Sequence, residues 1–368
     1  MYIGVPTEIK NNEYRVGLVP SSVKELTHVG HRVVVQAGAG DGIGFSDHCY
    51  LEAGADIVKT AADVFKKADL IVKVKELQEK EFSLLRENQI LFTFLHLAPD
   101  PKQADALLKS GCVAIAYETV TDAAGGLPLL APMSEIAGRM SIQVGAWALE
   151  KHQGGSGILL GGVPGVEPGK ITIIGGGVVG INAAKVAIGM GANVTIVDRD
   201  LKRLRELDLH FNSTIKTCYS TLENIASLVR ESDMVVGSVL IPGKTAPKLV
   251  LKSMLDGMRP GSVMVDVAID QGGCFETSKP TTHDDPMYNI NGINHYCVAN
   301  IPGAVARTAT LALNNATLPF VLAIAKKGYA QAVKENPHLL NGLTVHKGNI
   351  THKIVAQGLN MDYTPFVS

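Results

Sequence analysis

Neither sign of charge dominates this sequence. Lysine and arginine number 34, aspartate and glutamate 35, and the net charge is −1. Without a basic excess, nucleic acid and anionic membrane surfaces are not among the expected partners. Cysteine is sparse as well. Cys49, Cys112, Cys218, Cys274 and Cys297 are scattered, odd in number and form no C-x-x-C pair. That favours reduced thiols in a cytosol over a disulfide framework or a zinc site, and no metal is expected. The opening MYIGVPTEIK has no basic region followed by an apolar core, so it is expected not to be a secretory signal. Unbroken apolar runs are missing too. Residues 171–197 are interrupted by glycines and Lys185, and residues 304–325 by Arg307, Asn314 and Asn315, so neither is expected to span a membrane. No short-period repeat or low-complexity tract is present.

At 368 residues the chain is long for one core, and two domains are the natural expectation. A hydrophobic content of 46% with 38 glycines suits a compact α/β protein with many tight turns. The most informative stretch is residues 170–198, KITIIGGGVVGINAAKVAIGMGANVTIVD. It reads as strand, glycine turn, helix and second strand. Gly175, Gly177 and Gly180 fit G-x-G-x-x-G, and Asp198 ends the second strand. In a dinucleotide-binding unit the first glycine permits the tight turn and the second lets the backbone approach a pyrophosphate. The third lets the helix pack closely. The helix N-terminus offers free N–H groups to phosphate, and an acid at the position of Asp198 accepts hydrogen bonds from ribose hydroxyls. A bare glycine motif would be weak, but here strand, helix and spaced acid accompany it. A ligand-free glycine turn is the alternative.

Before this unit the chain alternates strands and helices. Residues 2–6 form a strand leading to a polar loop with Asn11, Asn12, Glu13 and Arg15. Ser21 can cap a helix running to about Val29. Residues 70–75, LIVKVK, form an apolar strand that turns basic. Residues 90–95 lead to His96, and residues 113–117 lead to Glu118. Such alternation implies a mostly parallel sheet, whose ligands sit beyond the carboxyl ends of the strands. Lys75, His96 and Glu118 all fall at that kind of position. Residues 133–151 read as a long helix. After Asp198 come strand ends at residues 234–240 and 263–266, with a loop to Asp270. A further strand end at residues 296–298 has a loop to Ile301. Pro302 can occupy the first turn of a second long helix, to about Lys327. The expected fold is therefore α/β, with two Rossmann-like domains and a cleft between them, joined by two long helices. Residues 1–128 form the substrate or catalytic domain, residues 129–306 the nucleotide domain, and residues 307–368 return to the first.

Four side chains carry candidate chemistry. Arg15 suits a bidentate grip on a carboxylate. Lys75 can add a point charge to a carboxylate or keto oxygen. His96 carries the one side-chain type whose unperturbed titration falls near neutrality, which suits general acid–base work. Asp270 lies just past a strand of the nucleotide domain. Taken singly, Arg15 and Lys75 can equally be solvated charges, His96 a structural histidine and Asp270 a loop cap. Cys297 lies near a proposed cofactor loop, yet fits better as a small buried hydrophobe.

The run GGVPGVEPGKITIIGGGVVGINAAKVAIGMGANVTIVD closely resembles the L-alanine dehydrogenases. So do IGVPTEIKNNEYRVGLVP, LIVKVKE, FTFLHLAPD, AYETV, APMSEIAGRMS, VDVAIDQGGCFET and VANIPGAVARTAT, and the resemblance covers essentially the whole chain. Related transhydrogenase α subunits carry Arg-x-Gln-x-x-Asp near the first connecting helix, where this chain has LAPMSE at residues 130–135. The resemblance implies that Arg15 and Lys75 bind the substrate carboxylate or carbonyl. His96 is then the acid–base residue, and Asp270 its partner in handling water and ammonia. Asn300 sits beside the substrate, and Phe94 and Met133 close a pocket fit for a methyl group. Ser134, Val178, Val179, Asp198, Arg203, Ser220, Val239, Leu240, Val267, Lys279, Val298 and Ile301 match cofactor-lining positions, with the glycine turn and Asp270. It further implies NAD as cofactor, with L-alanine, pyruvate and ammonium as reactants, in a cytoplasmic homohexamer. A transhydrogenase-like subunit and a catalytically silent NAD sensor are the rival readings. The joint presence of Arg15, Lys75, His96 and Asp270 speaks against both.

Overall fold

The computed structural model describes residues 1–239 and 246–367. It divides into two units, one of Met1–Met133 with Val305–Ser368 and one of Ser134–Ala304. In the first unit the strands are β1 (Tyr2–Val5), β2 (Arg32–Gln36), β3 (Asp56–Val58), β4 (Leu70–Val72), β5 (Ile90–Thr93) and β6 (Val113–Ala116). The second unit holds β7 (Lys170–Ile174), β8 (Asn193–Asp198), β9 (Lys216–Tyr219), β10 (Met234–Gly237), β11 (Val263–Asp266), β12 (Met287–Ile290) and β13 (Ile293–Tyr296). The chain closes with β14 (Leu343–His346) and β15 (Asn349–Ile350), back in the first unit.

The first sheet runs β15-β14-β6-β5-β4-β1-β2-β3, and the second β12-β13-β11-β10-β7-β8-β9. Counted by parallel strands, each unit has the order 3-2-1-4-5-6, reversing direction between its first and fourth strands. Inner parallel strands such as β4, β5 and β10 read as apolar runs because both faces are covered. Ile71, Leu91, Ala114 and Val34 share one core with Phe65 and Val345. Ile174, Val197, Val235 and Met264 share the other with Phe275. Each sheet adds antiparallel pairing at one edge, β14 on β6 and β12 on β13, which the strand–helix alternation did not announce.

Several helix ends differ from the sequence expectation. The first helix is Pro20–His28, and its N-cap is Val19 without a side-chain bond. Pro20 occupies the first turn, where a missing N–H costs nothing, so Ser21 is not the cap. The long helix spans Ala131–Ala148, and Lys151 belongs to a separate 3₁₀ turn. Pro302 lies in a 3₁₀ turn, Ile301–Val305, with the α-helix itself starting at Ala306 and ending at Lys327.

That last helix is long and apolar enough to cross a membrane by length and composition. Its polar positions are used inside the first unit. The Asn314 amide accepts from Val19 N–H at 2.9 Å and Ser22 Oγ at 3.1 Å, and donates to Gly17 O at 3.2 Å. Arg307 donates to Ile43 O and lies 4.9 Å from the Phe45 ring centroid. It is a packed helix of that unit, docked by its polar side chains.

Candidate functional site

In the first unit, the segments after β1, β4, β5 and β6 all leave the carboxyl end of the sheet, at and beside the β1/β4 reversal. Arg15 and Lys75 are placed there and both are buried. Arg15 meets Glu13 fork to fork, with Nε 2.7 Å from Oε1 and Nη2 2.6 Å from Oε2. Its Nη1 points at Met133 Sδ, 3.0 Å away. Burial pushes the Glu13 carboxyl up, but the Arg15 bonds and charge outweigh it, with Lys75 adding to them, and the net displacement is downward. The nearby Glu76 carboxyl is also held low. Burial opposes the shift there too, and Lys75, Lys10 and His96 supply the positive charge that overcomes it.

Beneath this layer lies a group of charges that sequence reasoning missed. Lys73 is wholly buried and bridges Glu8 at 3.1 Å and Glu81 at 2.8 Å. Glu8 Oε1 also accepts the N–H groups of Val74 at 2.6 Å and Lys75 at 3.3 Å, so it fixes the main chain that carries Lys75. Burial raises the Glu8 carboxyl despite the lysine, while the two carboxylates raise Lys73 despite its burial. A lysine inside the apolar run LIVKVK was the available signal. Its partners are 65 and 8 residues away in sequence, and only the latter is local.

His96 stands exposed just past β5, in the left-handed region at φ +45°. Histidine tolerates that region better than most residues, but it still costs about 1–3 kcal/mol and needs surrounding structure to hold it. The ring is nearly parallel to Phe94, at 8° and 5.8 Å between centroids. Phe94 in turn meets Tyr117 edge-on at 5.1 Å.

In the second unit, Gly175 has φ +107°, and a Cβ there would approach Val239 Cγ2 to 3.0 Å. A Cβ on Gly180 would stand 2.0 Å from Gly175 O, so this glycine presses the helix Val178–Gly189 against the turn itself. A Cβ on Gly177, the N-cap, would meet nothing within 4 Å. Open space at the start of a helix, beside a glycine backbone, is suited to phosphate. Asp198 anchors the turn through Oδ2, which accepts Gly176 N–H at 2.7 Å. Arg203 Nε donates to Gly176 O at 2.6 Å, and Ser220 N–H reaches Asp198 O at 3.0 Å. Val178, Val179, Arg203, Ser220 and Val239 thus cluster around the ends of β7, β8 and β10. Leu240 lies outside the described residues.

Asp270 is exposed in the 3₁₀ turn Val267–Gln271, which follows β11 directly. The turn is organised by the buried Asp266. Its carboxylate accepts N–H from Ala268 at 3.1 Å, Cys274 at 2.8 Å and Phe275 at 3.2 Å, and the Ser278 hydroxyl. Lys279 N–H binds Tyr288 Oη at 2.8 Å. Asn300 is left-handed at φ +67°, and its carbonyl accepts from Gly303 N–H at 2.9 Å and pairs with His283 Nε2 at 3.0 Å. Val298 and Ile301 are buried beside it in sequence. Cys297 is also buried, with its thiol pushed up to about 11 by burial, as expected of a packing residue. Ser134 opens this unit in sequence, where Met133 closes the first segment of the other.

Two sheets whose six parallel strands run 3-2-1-4-5-6, one with a glycine turn and a strand-tip aspartate, define a Rossmann-type α/β protein. Residues 4–137 match the alanine dehydrogenase/PNT N-terminal domain, and residues 141–353 the alanine dehydrogenase/PNT C-terminal domain. The chain belongs to this family. It is 55% identical over 368 residues to an alanine dehydrogenase of Halomonas elongata, covering 100% of this chain and 99% of that one. A solved L-alanine dehydrogenase superposes with a TM-score of 0.95 at 50% identity, covering 98% of this chain and 99% of the other. A transhydrogenase from Sinorhizobium meliloti gives a TM-score of 0.81 at 26% identity, covering 96% and 99%.

Proposed function

We propose that this protein interconverts L-alanine, water and NAD with pyruvate, ammonium and NADH. The observation that carries the reading is full-length likeness to alanine dehydrogenases, with Lys75, His96 and Asp270 just beyond carboxyl ends of parallel strands and Arg15 in the loop that follows β1. NAD, when bound, supplies the hydride acceptor. Arg15 and Lys75 hold the substrate carboxylate and carbonyl oxygen. His96 takes a proton from the ammonium group of alanine, which leaves the neutral amine from which hydride departs, and it returns protons as water adds and ammonia departs. Asp270 orients the water, and its carboxylate favours the cationic iminium and ammonium. Phe94 and Met133 bound the methyl side chain, and Asn300 adds a polar contact to the substrate. The first unit supplies the substrate groups, and the second the cofactor groups with Asp270.

The glycine turn, Ser134, Val178, Val179, Arg203, Ser220 and Val239 line the dinucleotide, and so do Val267, Lys279, Val298 and Ile301. Asp198 accepts the ribose hydroxyls and repels a 2′-phosphate, which makes NAD the preferred cofactor over NADP. The enzyme acts in the cytoplasm as a homohexamer. Purified protein given L-alanine and NAD should produce NADH absorbance that depends on alanine. Pyruvate, ammonium and NADH should run the reverse. Silence in both directions would overturn the proposal.

A further inference from the structure

β5 and β6 run parallel, and their last paired residues are Thr93 and Ala116. Two residues further along, Leu95 comes level with Glu118, past the point where main-chain pairing ends. A side chain completes the ladder there. The Glu118 carboxylate accepts Leu95 N–H at 3.2 and 3.1 Å, and His96 N–H at 2.6 Å. Successive amides converging on one anion, with a left-handed residue among them, form an anion-binding nest. The anion is supplied by the neighbouring strand of the same sheet. With the His96 N–H held on Glu118 and φ at +45°, the Cα–Cβ direction of His96 is set. The stacking on Phe94 then sets the ring plane.

We propose that Glu118 is a positioning residue for the reaction: its carboxylate holds the His96 main chain left-handed and thereby aims the imidazole, while touching neither substrate nor cofactor. The inference rests on the reading of His96 as the acid–base residue. Glu118 acts through main-chain groups, so its effect belongs to turnover and not to NAD binding.

The test uses Glu118→Ala, Glu118→Gln, His96→Ala and the double variant H96A/E118A in the full-length protein. Turnover is measured in both directions, with NADH affinity by fluorescence and melting temperature alongside. Glu118→Ala should lower turnover about 100-fold, the scale of a misplaced catalytic group, with NADH affinity unchanged. In the H96A background the same substitution should remove nothing further, because both changes disable one device. A folded E118A with wild-type turnover, or one that multiplies the H96A loss in full, overturns the inference alone. If H96A itself keeps wild-type turnover, the reading of His96 falls and the inference with it. Should E118A fail to fold, E118Q decides. It keeps one acceptor oxygen, and reduced turnover at an unchanged melting temperature supports the role, whereas wild-type turnover overturns it.

Discussion

Arg15 and Glu13, two residues apart, hold each other through two parallel bonds of 2.7 and 2.6 Å in a buried site. A guanidinium held this way has its plane and direction decided before any ligand arrives. Its charge is also partly offset, which makes its burial tolerable.

The first expectation concerns that geometry. Arg15→Lys keeps the charge and loses the fork. It should raise KM for pyruvate and alanine by roughly 10- to 100-fold, the worth of a charge-assisted bond. Glu13→Gln should raise KM in the same direction by less, since the guanidinium remains but is aimed less firmly. Steady-state kinetics in both directions checks this. An unaltered KM in Arg15→Lys would place the substrate elsewhere.

Glu13 also predicts a pH dependence. Its carboxyl is held below the ordinary value because Arg15 outweighs burial. A depressed carboxyl stabilises the folded chain above the unfolded value, about 4.3, and that stability is lost as pH falls through the lower folded value. The melting-stability difference between wild type and Glu13→Gln should be level from neutrality to near pH 4.3, about the unfolded value, then shrink. A difference that grows on acidification would mean that burial, and not Arg15, governs Glu13.

Lys73 should matter more for stability than for chemistry. Lys73→Met leaves Glu8 and Glu81 buried without their cation, which should cost about 3–5 kcal/mol in urea unfolding. Adding Glu8→Gln should recover part of that loss. A cost under about 1 kcal/mol would be that of a solvent-exposed ion pair and would contradict the burial of this one.

The two glycines at the helix start should separate cleanly. Gly180→Ala forces a Cβ to 2.0 Å from Gly175 O and should destabilise by about 1–3 kcal/mol. Gly177→Ala meets no neighbour and should change stability by under about 1 kcal/mol, yet weaken NAD by crowding the phosphate approach. Melting curves with an NADH titration distinguish them. Equal NAD affinity in Gly177→Ala would place the pyrophosphate away from this turn.

The glycine-turn unit was legible in the amino-acid string because its parts are local. Gly175, Gly180 and Asp198 lie within one strand–helix–strand segment, and backbone conformation and close approach demand glycine at those two positions. Strand–helix alternation likewise announced parallel sheets, and placed Lys75, His96 and Glu118 beyond strand ends. The strand order is another matter. It arises from pairings between segments far apart, such as β14 beside β6, where Leu343 faces Ile115. Hydrophobic runs do not specify a partner, because any two aliphatic strands can share a ladder. The same holds for charge. Lys73 and Lys75 share one short run, LIVKVK, yet folding gives the first Glu8 and Glu81 and puts the second at the strand-end site. Residue type and short-range spacing thus settled which groups were available and how the glycine turn would form. Only the long-range pairing of strands brought Glu8 to Lys73 and let Glu118 reach the main chain of His96.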